Sequence, residues 1–136
     1  MEWRQDGFEL TDDTSRLDLD AIMRLLELSY WAKERPRDVM QRAMKQSLCL
    51  GLLVEGRLIG FARAVTDRAT FAWVCDVIVE PGYRAQGLGK WMMKQLLEHP
   101  DLRSVSAYLR TDDAHTFYEP FGFCRVETLR RPPSPD

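Results

Sequence analysis

The spacing of hydrophobic and polar residues divides this chain into segments with the period of a strand and segments with the period of a helix. Trp3 to Leu10 is predicted to form a first strand that ends at a polar Thr11–Asp13 turn. Hydrophobic residues then recur every three or four positions, which predicts a helix that Asp18 caps and that ends near Ser29–Trp31. Pro36 is placed to begin a second helix. The residues expected to face inward are Leu19, Ile22, Met23 and Leu26 in the first helix and Val39, Met40, Ala43 and Met44 in the second.

The second half of the chain is richer in strands. Two apolar segments, Leu48–Val54 and Leu58–Val65, are separated by Glu55-Gly56, a pair typical of a hairpin turn. A further strand is predicted over Thr70–Glu80, and apolar residues at every fourth position predict a helix after Gly87. The remaining predicted elements are a strand over Ser104–Leu109, a short helix capped by Asp112 or Asp113 and reaching Glu119, and a last strand over Phe123–Leu129.

The order of these elements, β-α-α-β-β-β-α-β-α-β, predicts an α/β protein built on a mixed (α+β) sheet. It has an antiparallel meander in the middle and right-handed crossovers later. A chain of 136 residues with 45% hydrophobic composition can bury one core. We therefore expect a single domain over residues 1–130 and a flexible tail over residues 131–136.

Composition and charge narrow the class of protein. A net charge of −2 provides no basic surface for nucleic acid or an anionic membrane, so neither is expected as a partner. No apolar run approaches the roughly 20 residues of a membrane-spanning helix, and the N-terminus does not have the form of a signal peptide. Cys49, Cys75 and Cys124 lie in or beside apolar strands and lack metal-ligand spacing. Buried, reduced thiols, a cytoplasmic location and no bound metal are expected.

The segment that joins the Thr70–Glu80 strand to the following helix carries the clearest chemical signal. It reads Pro81-Gly82-Tyr83-Arg84-Ala85-Gln86-Gly87-Leu88-Gly89-Lys90. The first four N–H groups of a helix lack intrahelical partners, and glycine lets an anion approach them closely. The segment therefore suits a pyrophosphate, with Arg84 and Lys90 adding positive charge.

Two known phosphate-binding motifs are incomplete in this segment. Met92 stands where a dinucleotide fingerprint has its third glycine, and Trp91 follows Lys90 where a phosphate loop has Ser or Thr. On spacing alone, an ordinary strand-to-helix turn eased by glycines explains the segment equally well.

Two motifs resemble the signatures of the GNAT superfamily of N-acetyltransferases. Val77-Ile78-Val79-Glu80-Pro81, followed by Arg84-x-x-Gly87-x-Gly89, is similar to the acetyl-CoA signature of that family. Residues 111–123, with Ala114 four positions before Tyr118 and then Gly122-Phe123, resemble its second signature. The resemblance implies the GNAT acyl-CoA N-acyltransferase fold over the whole chain, with the element order given above, and acetyl-CoA as the acetyl donor.

The same resemblance implies how acetyl-CoA would bind. The pantetheine amides would pair with the strand backbone at Val77, Ile78 and Val79, as an added strand does, and this strand would diverge from Ser104–Leu109 to admit them. N–H groups near Val77 would polarise the thioester carbonyl. The residues expected around the pyrophosphate are Arg84, Ala85, Gln86, Gly87, Leu88, Gly89 and Lys90.

Two positions depart from the family pattern. Ala85 stands where glycine is usual, which a negative φ at this position would tolerate. Thr111 stands where many relatives carry an asparagine that bonds the pantetheine. Thr111 keeps one hydroxyl for that contact but lacks the paired donor and acceptor of an amide.

The resemblance assigns the general acid to Tyr118, which would protonate the thiolate that leaves. The alternative is a tyrosine that packs in the core beside Phe117 and Phe121. Even a packed tyrosine at this position would line the pocket.

The base that would take a proton from the amine stays open between two residues. Asp76 is a candidate because an inward carboxylate has a raised pKa, although strand alternation places it on the face opposite Trp73 and Cys75. His115 is a candidate because histidine titrates near neutrality and because it precedes Tyr118 by one helical turn. Water could also carry the proton away without any base.

Tyr30, Trp31 and Trp73 are candidates for the walls of an acceptor pocket, although large aromatic residues serve equally in cores. The sequence thus predicts an N-acetyltransferase that moves the acetyl group of acetyl-CoA to a primary amine of a small molecule or peptide by direct attack in a ternary complex. Four alternatives stay open: an acyl-CoA sensor without catalysis, an O-acyltransferase, an enzyme for longer acyl chains, and an interaction domain without a cofactor. We expect a monomer or a homodimer.

Overall fold

The structure, a computed structural model, describes residues 1–135. Its strands are β1 (Glu2–Gln5), β2 (Phe8–Thr11), β3 (Ser47–Val54), β4 (Arg57–Thr66), β5 (Phe71–Val79) and β6 (Ser106–Leu109). Its α-helices are α1 (Leu19–Leu26), α2 (Arg37–Lys45), α3 (Leu88–Glu98) and α4 (His115–Tyr118). The six strands form one sheet in chain order, antiparallel from β1 to β5 and parallel between β5 and β6. The predicted mixed α/β class is confirmed.

The sheet separates two clusters of buried side chains. On one side, α3 packs Met92, Met93 and Leu96 against strand residues such as Leu50 and Ile59. The cluster on the other side contains Ile22 and Leu26 of α1, Met40 of α2, and Phe61 and Ile78 of the sheet. Burial of these apolar side chains on both faces holds the central strands β3, β4 and β5 in fixed positions.

The first two helices follow the prediction closely. The side chain of Asp18 accepts a hydrogen bond from the N–H of Asp20 and caps α1, and α2 begins immediately after Pro36. The first helix ends at Leu26, three residues before the predicted end. Residues 27–36, here called the 27–36 loop, connect α1 to α2 as a series of turns.

The prediction of a single strand over Trp3 to Leu10 is wrong, because this segment forms a hairpin of two strands, β1 and β2. Gln5 pairs with Phe8, and the two residues between them have positive φ, 52° at Asp6 and 84° at Gly7. Asp-Gly between two strands is a typical two-residue turn, and both of its residues must adopt positive φ.

The C-terminal part of the chain differs most from the prediction. No strand is present over Phe123–Leu129, and Leu129 is 96% exposed. Phe123, Val126 and Leu129 recur every three residues, so a strand here would have no uniformly apolar face. The helix α4 begins at His115, and neither Asp112 nor Asp113 caps it. The predicted tail over residues 131–136 extends to Asp136, which lies outside the described residues.

The three cysteine thiols are free. Burial raises the pKa of Cys49 to about 12 and that of Cys75 to about 11, so both stay protonated at neutral pH. Cys124 is exposed, which corrects the expectation of a buried thiol at that position.

Between Met1 and Pro135, no helix combines the length and the apolar character needed to cross a membrane.

Candidate active site

Six consecutive backbone N–H groups, those of residues 85–90, make no hydrogen bond within residues 1–135. The N–H of Arg84 still bonds the carbonyl of Pro81 at 3.3 Å, and the N–H of Trp91 is the first to bond into α3, at 3.0 Å from the carbonyl of Gly87. No side chain caps the start of α3. Unpaired N–H groups and the positive end of the helix dipole together form an anion site. We call residues 85–90 the amide cradle.

The backbone of the cradle turns through two residues with positive φ. Gly87 has φ of 78° and open space beside it, as the glycine pattern predicts. Ala85 has φ of 66°, so the negative φ that would tolerate alanine in place of glycine is not adopted here. An alanine in this conformation costs roughly 1 kcal/mol, because its Cβ approaches the neighbouring carbonyl oxygen.

Gly89 serves a different purpose from Gly87. A Cβ built on Gly89 would lie 3.4 Å from Cζ of Phe117, an ordinary van der Waals distance, so Phe117 packs directly against the first turn of α3. This packing joins α4 to the cradle. Lys90 is exposed, and the guanidinium of Arg84 donates through Nε to the carbonyl of Val79 at 2.9 Å.

The turn that leads into the cradle is braced by one arginine. Arg57 donates through Nη1 to Glu80 at 3.1 Å and through Nη2 to the hydroxyl of Tyr83 at 2.9 Å. Its guanidinium also lies 5.6 Å from the centre of the Tyr83 ring. These contacts join β4 to the Pro81–Tyr83 turn.

Within residues 1–135, one edge of β5 has no strand partner next to the cradle, although the Val79 carbonyl accepts from Arg84. Pairing between β5 and β6 begins at Phe71 with Ser106 and ends at Val74 with Leu109, whereas β5 continues to Val79. On its other side β5 stays paired with β4 as far as Val79. The residues predicted to face pantetheine, Val77, Ile78 and Val79, therefore lie beyond the last β5–β6 pair.

A β-bulge interrupts β5 at Asp76. Phe61 pairs with Ile78 but Arg63 pairs with Cys75, so two residues of β5 oppose one residue of β4. Asp76 has φ of 53°, an uncommon conformation for a residue other than glycine. The bulge breaks the alternation, so the prediction that Asp76 faces away from Cys75 is wrong. The Asp76 carboxylate reaches the side chain of Arg63, the residue that pairs with Cys75.

The Asp76 carboxylate is fully buried and has three donors. Oδ2 accepts from Arg63 Nε at 2.9 Å and from Arg35 Nη1 at 2.7 Å, and Oδ1 accepts from Trp31 Nε1 at 3.0 Å. Burial alone would raise the pKa of Asp76, but the hydrogen bonds and charges of the two arginines lower it below 3.8. The predicted raised pKa is wrong. A carboxylate held in this way is a poor proton acceptor, which removes Asp76 from the candidate bases.

Four of the predicted site residues meet in one cavity of about 640 Å³ between β6, α4 and the C-terminal segment. They are Trp73, Thr111, His115 and Tyr118. Thr111 Oγ1 accepts the N–H of Ala114 at 2.9 Å, so this hydroxyl fixes the start of α4. None of the cradle residues lines this cavity.

Tyr118 is the last residue of α4. Its ring makes an edge contact with Phe117 at a centroid distance of 4.9 Å and another with Phe123 at 5.9 Å. The pKa of Tyr118 is raised to about 12, mainly by burial and to a smaller extent by the nearby Tyr30 and Asp113. The phenol is therefore protonated at neutral pH, the state that a proton donor needs.

The two aromatic residues of the 27–36 loop are placed differently from each other. Tyr30 is 57% exposed and lies close enough to Tyr118 to affect its pKa. The ring of Trp31 makes an edge contact with the ring of Tyr30 at a centroid distance of 5.1 Å, and its indole N–H donates a hydrogen bond to Asp76. Tyr30 thus lies near Tyr118 with most of its ring exposed, while Trp31 anchors the loop.

Sequence reasoning missed the two arginines that hold Asp76. Arg63 is the one charged residue within the apolar run from Leu58 to Val65, and it is only 9% exposed. A single charge inside a buried strand indicates a buried ionic partner, since an unpaired charge there would be very costly. That signal was present in the sequence. No group of three or more His, Cys, Asp or Glu side chains within residues 1–135 could hold a metal ion.

Comparison with known proteins shows the family to which the fold belongs. Residues 18–123 match the family described as "Acetyltransferase (GNAT) family". The uncharacterized N-acetyltransferase ycf52 of Porphyra purpurea is 30% identical, with 88% of this chain and 75% of the relative aligned. A crystal structure from Xanthomonas campestris, of a GNAT-family protein, is 37% identical with a TM-score of 0.88 and covers 96% of both chains.

A more distant structure shares the fold alone. The PaiA N-acetyltransferase of Thermoplasma acidophilum, solved in complex with coenzyme A, is 17% identical with a TM-score of 0.72, and 90% of this chain and 92% of that one are aligned. The family match extends over most of the chain, from α1 to the residues after α4. This chain belongs to the GNAT family of acetyltransferases.

Proposed function

We propose that this protein is an acetyl-CoA-dependent N-acetyltransferase that transfers the acetyl group to a primary amine by direct attack in a ternary complex. The observation that carries the proposal is the amide cradle, with six free N–H groups at the start of α3 beside a free edge of β5. This arrangement offers donors to a diphosphate and, next to them, strand backbone to an extended amide chain.

The cradle residues would hold the pyrophosphate of acetyl-CoA, and Val77–Val79 would pair with its pantetheine arm. When bound, acetyl-CoA supplies an activated thioester carbonyl. The N–H groups near Val77 would donate to the oxygen of that carbonyl, a contribution of roughly 3 kcal/mol where such donors have been removed from other enzymes. Arg84 and Lys90 add positive charge at the cradle. Thr111 can offer its hydroxyl proton, since its oxygen already accepts from Ala114.

Tyr118 would donate the proton that the departing thiolate needs. Its raised pKa keeps it protonated up to high pH, and it lies in a cavity that also contains His115 and Trp73. His115 is the remaining candidate for accepting the amine proton, because Asp76 is held by two arginines. A chain of water molecules is the alternative route for that proton.

The acceptor is proposed to be a primary amine of a small molecule or peptide that enters between Tyr30 and Trp73. A cytoplasmic location and a monomeric or dimeric state stay predictions.

The proposal is tested by two measurements on the wild-type protein. Acetyl-CoA should raise the melting temperature, since a ligand at 100 times its Kd adds about 2.7 kcal/mol of stability. A thiol-release assay with a panel of amines, amino acids and peptides should then detect free coenzyme A. A thermal shift without thiol release would instead indicate a sensor, and release only with alcohols would indicate O-acylation. The absence of any shift at millimolar acetyl-CoA would contradict the proposal.

A further inference from the structure

The buried carboxylate of Asp76 joins three separate parts of the chain. It accepts hydrogen bonds from Trp31 and Arg35 of the 27–36 loop and from Arg63 of β4, while Asp76 itself forms the bulge of β5. Arg63 also donates through Nη1 to Ser47 Oγ at 3.0 Å. The side chains of Asp76 and Arg63 are 0% and 11% exposed, whereas Arg35 is 22% exposed.

Within residues 1–135, the side chains of the 27–36 loop form hydrogen bonds to the sheet at Asp76 alone. The remaining hydrogen bonds of the loop are internal or reach the adjoining helices. Ser29 Oγ donates to the carbonyl of Leu26 and accepts from the N–H of Ala32, and Arg35 Nη1 contacts the sulfur of Met40. Without the Asp76 contacts, the loop is joined to the sheet only by packing.

Net stability does not explain this arrangement. Removing charges from water is costly, and a well-packed apolar residue often replaces a buried ion pair at no loss. Asp76 additionally adopts a backbone conformation that favours glycine. A fully bonded polar network in the interior does fix one geometry, because every displaced member leaves a buried partner unsatisfied.

The geometry that the network fixes concerns the acceptor side of the site. Trp31, bonded to Asp76, supports the ring of Tyr30 at 5.1 Å with an interplanar angle of 84°. Tyr30 in turn lies close enough to Tyr118 to raise the pKa of that phenol. Contacts therefore run from the β5 bulge through Trp31 to Tyr30, on the side of the loop that lies towards Tyr118.

We propose that Asp76 is a positioning residue that fastens the 27–36 loop to the β5 bulge and so sets the distance between Tyr30 and Tyr118 across the acceptor entrance. The inference rests on the proposed function, because it assigns Tyr30 to the wall of that enzyme's acceptor site. It predicts that loosening the fastening weakens acceptor binding and leaves acetyl-CoA binding intact.

Arg35→Met tests the inference because it removes one fastening bond and keeps the Asp76–Arg63 pair. The matched control is Arg37→Met, which deletes an exposed ion pair with Asp20 and changes the charge equally. Limited trypsin digestion reports on the loop, because Lys33 is exposed and the Arg35–Pro36 bond resists trypsin. Cleavage after Lys33 should be about tenfold faster in Arg35→Met and unchanged in the control, consistent with local opening.

Kinetics supply the second measurement. With an amine identified by the thiol-release assay, Arg35→Met should raise the acceptor KM about tenfold, since the acceptor wall is no longer held in place. The thermal shift caused by acetyl-CoA should equal that of the wild type. An unchanged cleavage rate in Arg35→Met would overturn the inference, as would equal losses of acceptor and acetyl-CoA binding.

Two substitutions at Asp76 separate the role of the carboxylate from that of the backbone. Asp76→Gly keeps positive φ and removes the carboxylate, and Asp76→Asn keeps the size and removes the charge. Both should speed cleavage after Lys33. Slow cleavage in a folded Asp76→Gly protein would show that only the backbone conformation matters and would contradict the inference. If neither Asp76 variant folds, the cleavage rates of Arg35→Met and Trp31→Phe test the inference, because both variants keep the Asp76–Arg63 ion pair.

The digestion result does not depend on catalysis. If the protein neither binds acetyl-CoA nor releases thiol, the proposed function fails, whereas fast cleavage in Arg35→Met would still show that the loop is fastened to the sheet.

Discussion

The amide cradle and the 27–36 loop flank the same central strand, yet they are held in place by different kinds of contact. The cradle depends on short-range backbone geometry, since Gly87 turns the chain and the start of α3 leaves its N–H groups free. The loop depends on a carboxylate that lies 41 residues further along the chain from Arg35 and 45 from Trp31. Local geometry thus forms the proposed cofactor side of the site, and long-range ion pairing holds the proposed acceptor side.

This difference predicts how amino-acid substitutions should affect the amide cradle and the 27–36 loop. Any strand followed by such a turn and helix presents the same donors to a diphosphate, whatever the rest of the chain does. The acceptor side requires three residues from distant segments to meet at Asp76, so single substitutions should reshape it. Substitutions in each region should therefore have separable effects.

The largest effect is expected from Gly87→Glu, which would place a carboxylate at the cradle and force a side chain into positive φ. The stabilisation by acetyl-CoA, about 2.7 kcal/mol at 100 times Kd, should disappear. Differential scanning fluorimetry with and without acetyl-CoA measures it. Gly82→Glu is the control, because Gly82 has open space beside it and its φ is not positive. A thermal shift that survives in Gly87→Glu would show that the cradle does not bind the cofactor.

Tyr118→Phe should reduce kcat about 100-fold, the lower end for loss of a proton donor, and should leave the acetyl-CoA shift intact. Because burial raises the pKa of Tyr118 to about 12, ionisation of this group should not lower kcat until the pH approaches that value. Turnover equal to that of the wild type would exclude Tyr118 from the acid role.

Asp76→Asn should destabilise the protein by about 3 kcal/mol near neutral pH, because it leaves Arg63 buried without a full counter-charge. The pKa of Asp76 is lowered from 3.8, so its stabilising contribution is present above that pH and is lost as the pH falls below it. The difference between wild type and variant should therefore shrink in acid. Urea unfolding across this range tests the prediction, with the exposed Asp38→Asn as control; a difference independent of pH would contradict it.

The smallest effect is expected from Ala85→Gly. Glycine removes the strain of φ at 66°, which is worth about 1 kcal/mol, and its greater freedom in the unfolded chain offsets part of this gain. The melting temperature should rise by a few degrees or less. Ala69→Gly, where φ is not positive, should lower it instead. A loss of stability in Ala85→Gly would show that position 85 is not strained.

Features set by neighbouring residues could be predicted from the sequence. The Glu55-Gly56 hairpin, the cap of α1 by Asp18 and the start of α3 all follow from residues within one turn of the element. The Asp6-Gly7 turn belongs to the same class, because Asp-Gly is a typical two-residue hairpin turn. In such cases backbone conformation decides the structure.

Features set by distant residues could not be predicted in this way. Alternation along β5 assigns Asp76 to the wrong face, because the bulge adds a residue that only the pairing with β4 reveals. The pKa of Asp76 then depends on Arg35 and Arg63, whose positions come from the fold. The absent strand over Phe123–Leu129 is a similar case, because strand-forming residues there have no partner on β6 within the described residues.

The central claim is that backbone N–H groups at the start of α3 bind the diphosphate of acetyl-CoA. Amide chemical shifts, followed by ¹H–¹⁵N NMR during titration with acetyl-CoA, test it most directly. The largest shifts should occur at residues 85–90, since direct hydrogen bonds to phosphate oxygens form there. Saturable binding that leaves those six amides unmoved and perturbs other residues would contradict the claim.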